Sequence, residues 1–131
     1  MEKIKELERE IIALSHKQAW IREGLKSFIA KLNRELESMP EHRFFYRYNF
    51  DEIDEYKSFC WRYDCGEVSI KIYDYATEEF TEVDISTLTP KQCRLAIASF
   101  EKFIESVLNR MKEILDNYET AEELIRKYLT A

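Results

Sequence analysis

Apolar side chains recur at alternating intervals of three and four residues along the first forty positions. The stripe holds throughout if Gln18 is counted as a member. Its apolar members are Ile4, Leu7, Ile11, Leu14, Ile21, Leu25, Phe28 and Leu32. Such a heptad, flanked by Glu, Lys and Arg, is typical of a helix that packs along one stripe. We predict a first helix over residues 2 to 38, ending before Pro40.

The polar residue in this stripe has two interpretations. At an a-type heptad position, a single polar side chain can set the register and oligomeric state of a coiled coil. Alternatively, Gln18 lies at the edge of a groove within one chain. On the first interpretation, the residues that mediate self-association are Leu7, Leu14, Gln18, Ile21 and Leu25.

A second heptad helix is predicted to begin at Thr89 and Pro90, which are a preferred N-cap and a preferred first helical residue. Its seam runs from Cys93 to Tyr118. Three further apolar residues widen the seam: Phe103, Leu108 and Leu115. This helix should therefore contact more than one neighbour.

A capping-box pattern from Thr120 to Glu123 predicts a separate short helix at the C-terminus. Its apolar side would carry Leu124, Ile125, Tyr128 and Leu129. Two heptad helices in one short chain should pair with each other, with a second copy of the chain, or with both.

Between the helices, aromatic and β-branched residues alternate with polar ones, which indicates strands. We predict a four-stranded antiparallel meander with strands at residues 42–50, 55–63, 67–75 and 79–86. The chain is then a single α+β domain, residues 1–131, in the order α-β-β-β-β-α-α. Its parts are a long heptad helix (1–39), the β-meander (42–86) and a helical C-terminal part (89–131).

Side-chain parity determines which residues share a face of this sheet. A hairpin at Asp64–Glu67 places Tyr63 opposite Val68 and Trp61 opposite Ile70. The other predicted pairs are Phe59 with Ile72, Tyr46 with Phe59, Phe44 with Trp61, Val83 with Ile72, and Ile85 with Ile70. The predicted core face is Phe44, Tyr46, Phe59, Trp61, Tyr63, Val68, Ile70, Ile72, Val83 and Ile85.

The opposite face is amphipathic, with cations on the first two strands and carboxylates on the last. We expect it to bind a protein partner through Arg43, Phe45, Arg47, Arg62, Tyr73 and Tyr75. The alternative is a solvated face on which Lys71 pairs with Asp84 across strands.

Nucleic-acid binding is another hypothesis for this face. The phosphate contacts would be Arg43, Arg47, Arg62 and Lys71, and the stacking platforms Phe45, Tyr56, Tyr73 and Tyr75. Residues 41–89, however, contain 5 Lys and Arg against 12 Asp and Glu, a net charge of −7. Such a region repels a phosphate backbone unless its cations are strongly segregated.

The turns of a meander alternate between the two ends of the sheet, so the first and third turns should lie together. This arrangement groups Asp51, Glu52, Asp54, Glu55, Glu78 and Glu79. The cluster could receive a basic partner, or imitate nucleic-acid charge towards a nuclease or regulator, as an inhibitor encoded by a virus or mobile element would. Solvated loops are the alternative.

Signatures of catalysis and metal binding are missing from the sequence: there is no Gly-rich phosphate loop, no metal-ligand spacing and no recognisable nucleophile with its base. Cys60 and Cys65 are separated by about 16 Å along an extended chain. This separation excludes a disulfide between them, which needs Cα atoms within about 7 Å. Cys93 on a helix seam, and His16 and His42, are interpreted as structural. We expect no enzymatic activity, no metal and no cofactor.

The composition indicates a globular protein of the cytoplasm. The chain has 131 residues, of which 45% are hydrophobic and 35% charged, with a net charge of −6. It has no apolar run of about 18 residues, and its charged N-terminus is unlike a signal peptide. Abundant Glu, Lys, Arg and Ile with two Gln resemble a thermophile's composition. The sequence as a whole predicts a homodimer that binds a protein partner; an acidic inhibitor is the first alternative and nucleic-acid binding the second.

Overall fold

The computed structural model describes residues 1–130 and shows an α+β fold. Its elements are α1 (Glu2–Glu37), β1 (Phe45–Glu52), β2 (Lys57–Asp64), β3 (Glu67–Asp74), β4 (Glu79–Glu82), a 3₁₀ turn (Ile85–Thr87) and α2 (Pro90–Leu129). The strands form one antiparallel sheet in the order β1-β2-β3-β4. The predicted fold class, first helix and meander are confirmed, although β4 is shorter than predicted.

The predicted start of α2 is also confirmed, with a full capping box. The Thr89 hydroxyl accepts a hydrogen bond from the Gln92 amide at 3.2 Å, and the Gln92 side chain accepts one from the Thr89 amide at 2.9 Å. The predicted separate C-terminal helix is wrong, because α2 continues without interruption to Leu129. The Thr120 hydroxyl, instead of capping a new helix, donates to the Asp116 carbonyl one turn earlier at 3.0 Å.

Both helices pack on the same face of the sheet, α1 over β3 and α2 over β1 and β2. All ten residues of the predicted core face belong to this core. The helices contribute Leu25, Ile29, Cys93, Ala96, Phe103 and Val107 as buried residues. Arg22 of α1 reaches Leu88 just before α2, and Phe28 meets Phe100 at 4.9 Å between ring centroids. The two helices therefore run in the same direction.

Trp61 joins β2 to α2 at the centre of this core. Its side chain is fully buried, and its indole Nε1 donates to the Ala96 carbonyl at 2.8 Å. The ring stacks on Phe103 at 5.8 Å between centroids and meets Phe100 edge-on at 5.1 Å. The N–H of a buried Trp usually finds a hydrogen-bond partner, and here that bond ties β2 to α2.

The predicted pairing of β2 with β3 is confirmed, whereas that of β1 with β2 is wrong by four residues. Tyr46 lies opposite Tyr63, and Tyr48 opposite Trp61. The turn closes later than predicted, because the Asp54 carboxylate accepts from the amides of Tyr56 and Lys57. An even shift keeps side-chain parity, so Phe44 and Tyr46 still face the core.

The predicted pairing of β3 with β4 is wrong by two residues, since Ile72 lies opposite Thr81 instead of Val83. The chain leaves the sheet early because the Asp84 carboxylate accepts from the Ser86 amide at 3.0 Å and caps the 3₁₀ turn. Ile85, predicted to pair with Ile70, lies in that turn and is half-buried against the core.

Because β4 is short, the β3 backbone at Val68 lacks a neighbouring strand on that side. A side chain of α1 takes the strand's place. The Asn33 amide oxygen accepts from the Val68 N–H at 2.7 Å, and the Asn33 amide nitrogen donates to the Val68 carbonyl at 2.8 Å. These two hydrogen bonds attach α1 to the sheet at one position.

We predict that Asn33→Ala lowers the free energy of unfolding by about 2 kcal/mol, because it leaves part-buried backbone groups without partners. Asn33→Asp should also destabilise the protein, since a carboxylate cannot donate to the Val68 carbonyl. Urea denaturation measures both effects. Lys31→Ala, at an exposed position of α1 away from both helical ends, is the control. An Asn33→Ala variant as stable as this control would contradict the assigned role.

Candidate functional site

The helices extend beyond the sheet at opposite ends with apolar side chains in solvent. Every residue of 1–17 is exposed, and Leu7 and Leu14 keep 57% and 55% of their surface accessible. Every residue of 115–130 is likewise exposed. We call residues 2–17 the N-terminal arm and residues 115–129 the C-terminal arm. Neither arm has a partner within residues 1–130.

The structure divides the predicted self-association residues into two groups. Leu7 and Leu14 lie on the N-terminal arm, whereas Leu25 is buried in the chain's own core. Gln18 and Ile21 are half-buried between these groups. The second half of the heptad stripe therefore packs on the chain's own sheet, whereas the first half is exposed to solvent.

A groove separates α1 from α2 next to the N-terminal arm, with a volume of about 490 Å³. Its lining residues include Gln18, which agrees with the interpretation that this residue lies at a groove edge. A neighbouring cavity of about 290 Å³ continues the groove down to Trp61. Three cations line the groove: Lys17, Arg22 and Arg94. No carboxylate of residues 1–130 lines either space.

The sheet face opposite the helices carries cations stacked on aromatic rings. The Arg47 guanidinium lies 3.5 Å from the Tyr73 ring centroid and 5.7 Å from that of Tyr75. The Arg62 guanidinium lies 4.0 Å from the Phe80 ring centroid. Stacking of this kind holds a guanidinium flat while leaving its N–H groups available for a partner.

Ion pairs on this face differ from the predicted one. Lys71 pairs with Glu82, not with Asp84, because the chain has turned away before residue 84. The hydrogen bond from Lys71 lowers the pKa of the Glu82 carboxyl. Arg62 pairs with Asp64 at 3.3 Å. Within residues 1–130, Arg43 and Arg47 form no ion pair.

Of the six residues predicted to bind a partner through the sheet, the structure brings three into contact. Arg47 covers Tyr73, which is itself buried, and Tyr73 meets Tyr75 edge-on at 5.4 Å. The others lie nearby: Phe45 is exposed on β1, Arg43 precedes it, and Arg62 is on β2.

Two further residues contribute to this surface but are absent from the predicted partner-binding set. The Asn49 side-chain amide donates to the Tyr75 hydroxyl at 2.7 Å. Phe80 lies beneath the Arg62 guanidinium.

Cys60 lies under these cations and is fully buried. Burial raises the pKa of its thiol to about 11, although the positive charges of Arg47, Arg62 and Lys71 oppose the shift. Desolvation outweighs three nearby cations, so the thiol stays protonated and unreactive at neutral pH. Cys60 therefore fills space beneath the cations, and its raised pKa disfavours the thiolate.

The predicted acidic cluster is assembled only in part. The first and third turns do lie together, since the Tyr75 amide donates to the Tyr56 carbonyl at 2.7 Å. Asp51, however, is mostly buried and pairs with Lys91 of α2 at 3.8 Å, because a β-bulge follows Asn49. Asp54 caps its own turn. The remaining four are exposed: Glu52, Glu55, Glu78 and Glu79.

Comparisons of the chain with protein-family models, with curated proteins and with solved structures found no match. In residues 1–130 no helix is both long enough and apolar enough to cross a membrane. Over the same residues, no cluster of three His, Cys, Asp or Glu side chains is placed to hold a metal ion. The candidate site consists of the arms with their groove and the outer face of the sheet.

We predict that one thiol reacts in the native protein at pH 8 and that three react after unfolding. Cys65 is exposed, whereas Cys60 and Cys93 are buried. Titration with a disulfide reagent, followed by peptide mass spectrometry, identifies the modified position. Labelling of Cys60 in the folded protein at the rate of Cys65 would show that the sheet face opens, contrary to the structure.

Proposed function

We propose that this chain is a non-enzymatic assembly protein that self-associates through its helical arms and presents the outer sheet face to a protein partner. The observation that carries the proposal is the N-terminal arm, whose heptad stripe is exposed along its whole length. The exposed apolar residues are Ile4, Leu7, Ile11 and Leu14. Contiguous apolar surface of this kind marks an interaction site in a folded protein.

The stability of the arms supports the same conclusion. Most of the stability of a helix in a protein comes from the packing of its apolar face. The N-terminal arm gains no such packing within the chain, although its stripe continues the one that packs on the sheet at Leu25 and Ile29. A partner that covers the stripe would supply the burial that the rest of α1 obtains from the sheet.

The outer sheet face suits a protein partner better than a nucleic acid. Of the four predicted stacking platforms, Tyr73 is buried beneath Arg47 and cannot stack on a base. Arg and Tyr side chains held rigidly in this way are common at the centres of protein interfaces. The acidic-inhibitor alternative is weakened because Asp51 and Asp54 are engaged within the chain.

We predict that the parent protein is a dimer at micromolar concentration and that a Leu7→Glu plus Leu14→Glu variant is a monomer. The substitutions place charge in the apolar stripe, yet both positions are exposed, so thermal unfolding of the sheet core should change little. Light scattering after size exclusion measures the mass. Arg9→Glu adds negative charge elsewhere on the same arm and is the control. A monomeric parent would refute self-association.

A separate experiment addresses the sheet face. Once a partner has been isolated, Arg43→Glu plus Arg47→Glu should weaken its binding by about tenfold or more. Both arginines lack an ion pair within residues 1–130 and are available to carboxylates of the partner, which the introduced glutamates would repel. Lys57→Glu, at an exposed position of β2, is the control. Isothermal titration measures the affinities. Binding equal to that of the parent would exclude the outer face as the interface.

A further inference from the structure

We propose that the groove between α1 and α2 binds the C-terminal arm of a second copy of this chain, and that the two copies do so reciprocally. The inference rests on the self-association proposed above and adds a second contact to that of the exposed N-terminal arm. Three features support it: the charges of groove and arm, the space beside α1, and the positions of groove and arm along α2.

The charges of the groove walls and of the two arms indicate which arm the groove binds. The groove walls carry Lys17 and Arg94, which form no ion pair within residues 1–130. Residues 115–129 contain four Asp and Glu against two Lys and Arg, a net charge of −2. Residues 2–16 contain four Asp and Glu against three Lys and Arg, a net charge of −1, and the arm's Leu14 and Lys17 already belong to the groove wall. The cationic groove therefore attracts the C-terminal arm more strongly than the N-terminal arm.

The C-terminal arm has its apolar and acidic side chains in the arrangement that such docking needs. Its exposed apolar residues include Leu115, Tyr118 and Ile125, spaced by three and seven. Beside this stripe, Asp116, Glu119 and Glu123 follow one another at intervals of three and four and form no ion pair within residues 1–130. Side chains at these intervals share one side of a helix. The apolar stripe can thus enter the groove while the carboxylates meet its cations.

The space beside α1 is open enough for a helix to approach closely. Gly24 lies in the interior of α1, where glycine is less stable than alanine. A Cβ built at this position meets nothing within 4 Å, so no neighbour in the chain requires the glycine. Gly24 lines the cavity that continues the groove, and Ala98 lines the groove from α2. Small residues on both walls allow close packing of a third helix.

The lengths and positions of the two surfaces are compatible with twofold symmetry. The groove wall from Leu14 to Phe28 and the arm from Leu115 to Leu129 each span about 21 Å. Along α2, the groove lies at residues 90–100 and the arm at 115–129. Reciprocal docking therefore makes the two α2 helices antiparallel and places the symmetry axis near residue 108. Leu108 is 48% exposed and lies on the face of α2 that carries Ile97 and Leu115.

A charge exchange between arm and groove tests the proposal directly. The arm variant is Asp116→Lys, Glu119→Lys, Glu123→Lys, and the groove variant is Lys17→Glu, Arg94→Glu. Each variant alone should dimerise about tenfold or more weakly than the parent, since like charges face each other at both contacts. An equimolar mixture should form a heterodimer of parental affinity, because each arm then meets a groove of opposite charge.

Native mass spectrometry with one variant labelled with ¹⁵N measures the heterodimer fraction, and circular dichroism checks that each variant is folded. A mixture containing the two homodimers and the heterodimer in statistical proportion would overturn the inference. A parent that is dimeric while both variants dimerise as well as it does would also overturn the inference and leave self-association standing. A monomeric parent would refute both.

Crosslinking gives an independent measurement near the proposed symmetry axis. In a Cys65→Ser background, Leu108→Cys should be joined to its counterpart by a short bis-maleimide at micromolar protein concentration. Lys102→Cys, which is exposed on another side of α2, is the control and should remain uncrosslinked. Equal crosslinking at both positions, or at neither, would contradict antiparallel contact of the two α2 helices.

Discussion

A mismatch in length between the sheet and its helices governs this structure. The three long strands have 8 residues each and span about 26 Å. The helices have 36 and 40 residues and span about 54 Å and about 60 Å. The sheet can therefore cover only about half of each helix. Since the helices run in the same direction but begin at different points, their uncovered halves project from opposite ends of the molecule.

Where the sheet and helices do overlap, a few specific contacts hold them together. Trp61 supplies the apolar centre and one hydrogen bond to α2, and Asn33 completes the edge of β3 from α1. Trp61 lies at the floor of the cavity between the two helices, and the helices contact each other at only a few positions. The groove remains there because each helix is bound to the sheet more than to its neighbour. A third helix could fill it without disturbing either contact.

Parity was the part of the fold that could be predicted reliably from sequence. Phe44 and Tyr46 were assigned to the correct face although their partners were wrong, because the register error was an even number of residues. The errors in strand register arose from local side-chain hydrogen bonds, which the alternation of apolar and polar residues does not reveal. Asp54 and Asp84 each close a turn with their side chains, and a bulge after Asn49 redirects Asp51 towards Lys91.

The candidate site was less predictable for a different reason. Ile4 and Leu25 occupy equivalent a-type positions of one heptad repeat, yet Ile4 is exposed and Leu25 is buried on the sheet. A repeating apolar pattern predicts that a helical stripe will be buried. It does not indicate whether the chain's own sheet or another molecule buries it. Parity predicts that Arg47 and Tyr73 share one face of the sheet. It does not predict that the Arg47 guanidinium buries Tyr73, because that depends on how the strands are paired.

Hydrogen–deuterium exchange at two protein concentrations tests most directly whether the arms are held by a second copy. Amides of residues 2–17 and 115–129 should be protected when the protein is concentrated and should exchange rapidly after dilution below the dissociation constant. Amides of residues 25–33, which pack on the sheet, should be protected in both samples and serve as the internal reference. Rapid exchange of both arms at every concentration would contradict the account, because it would show that no partner copy covers them.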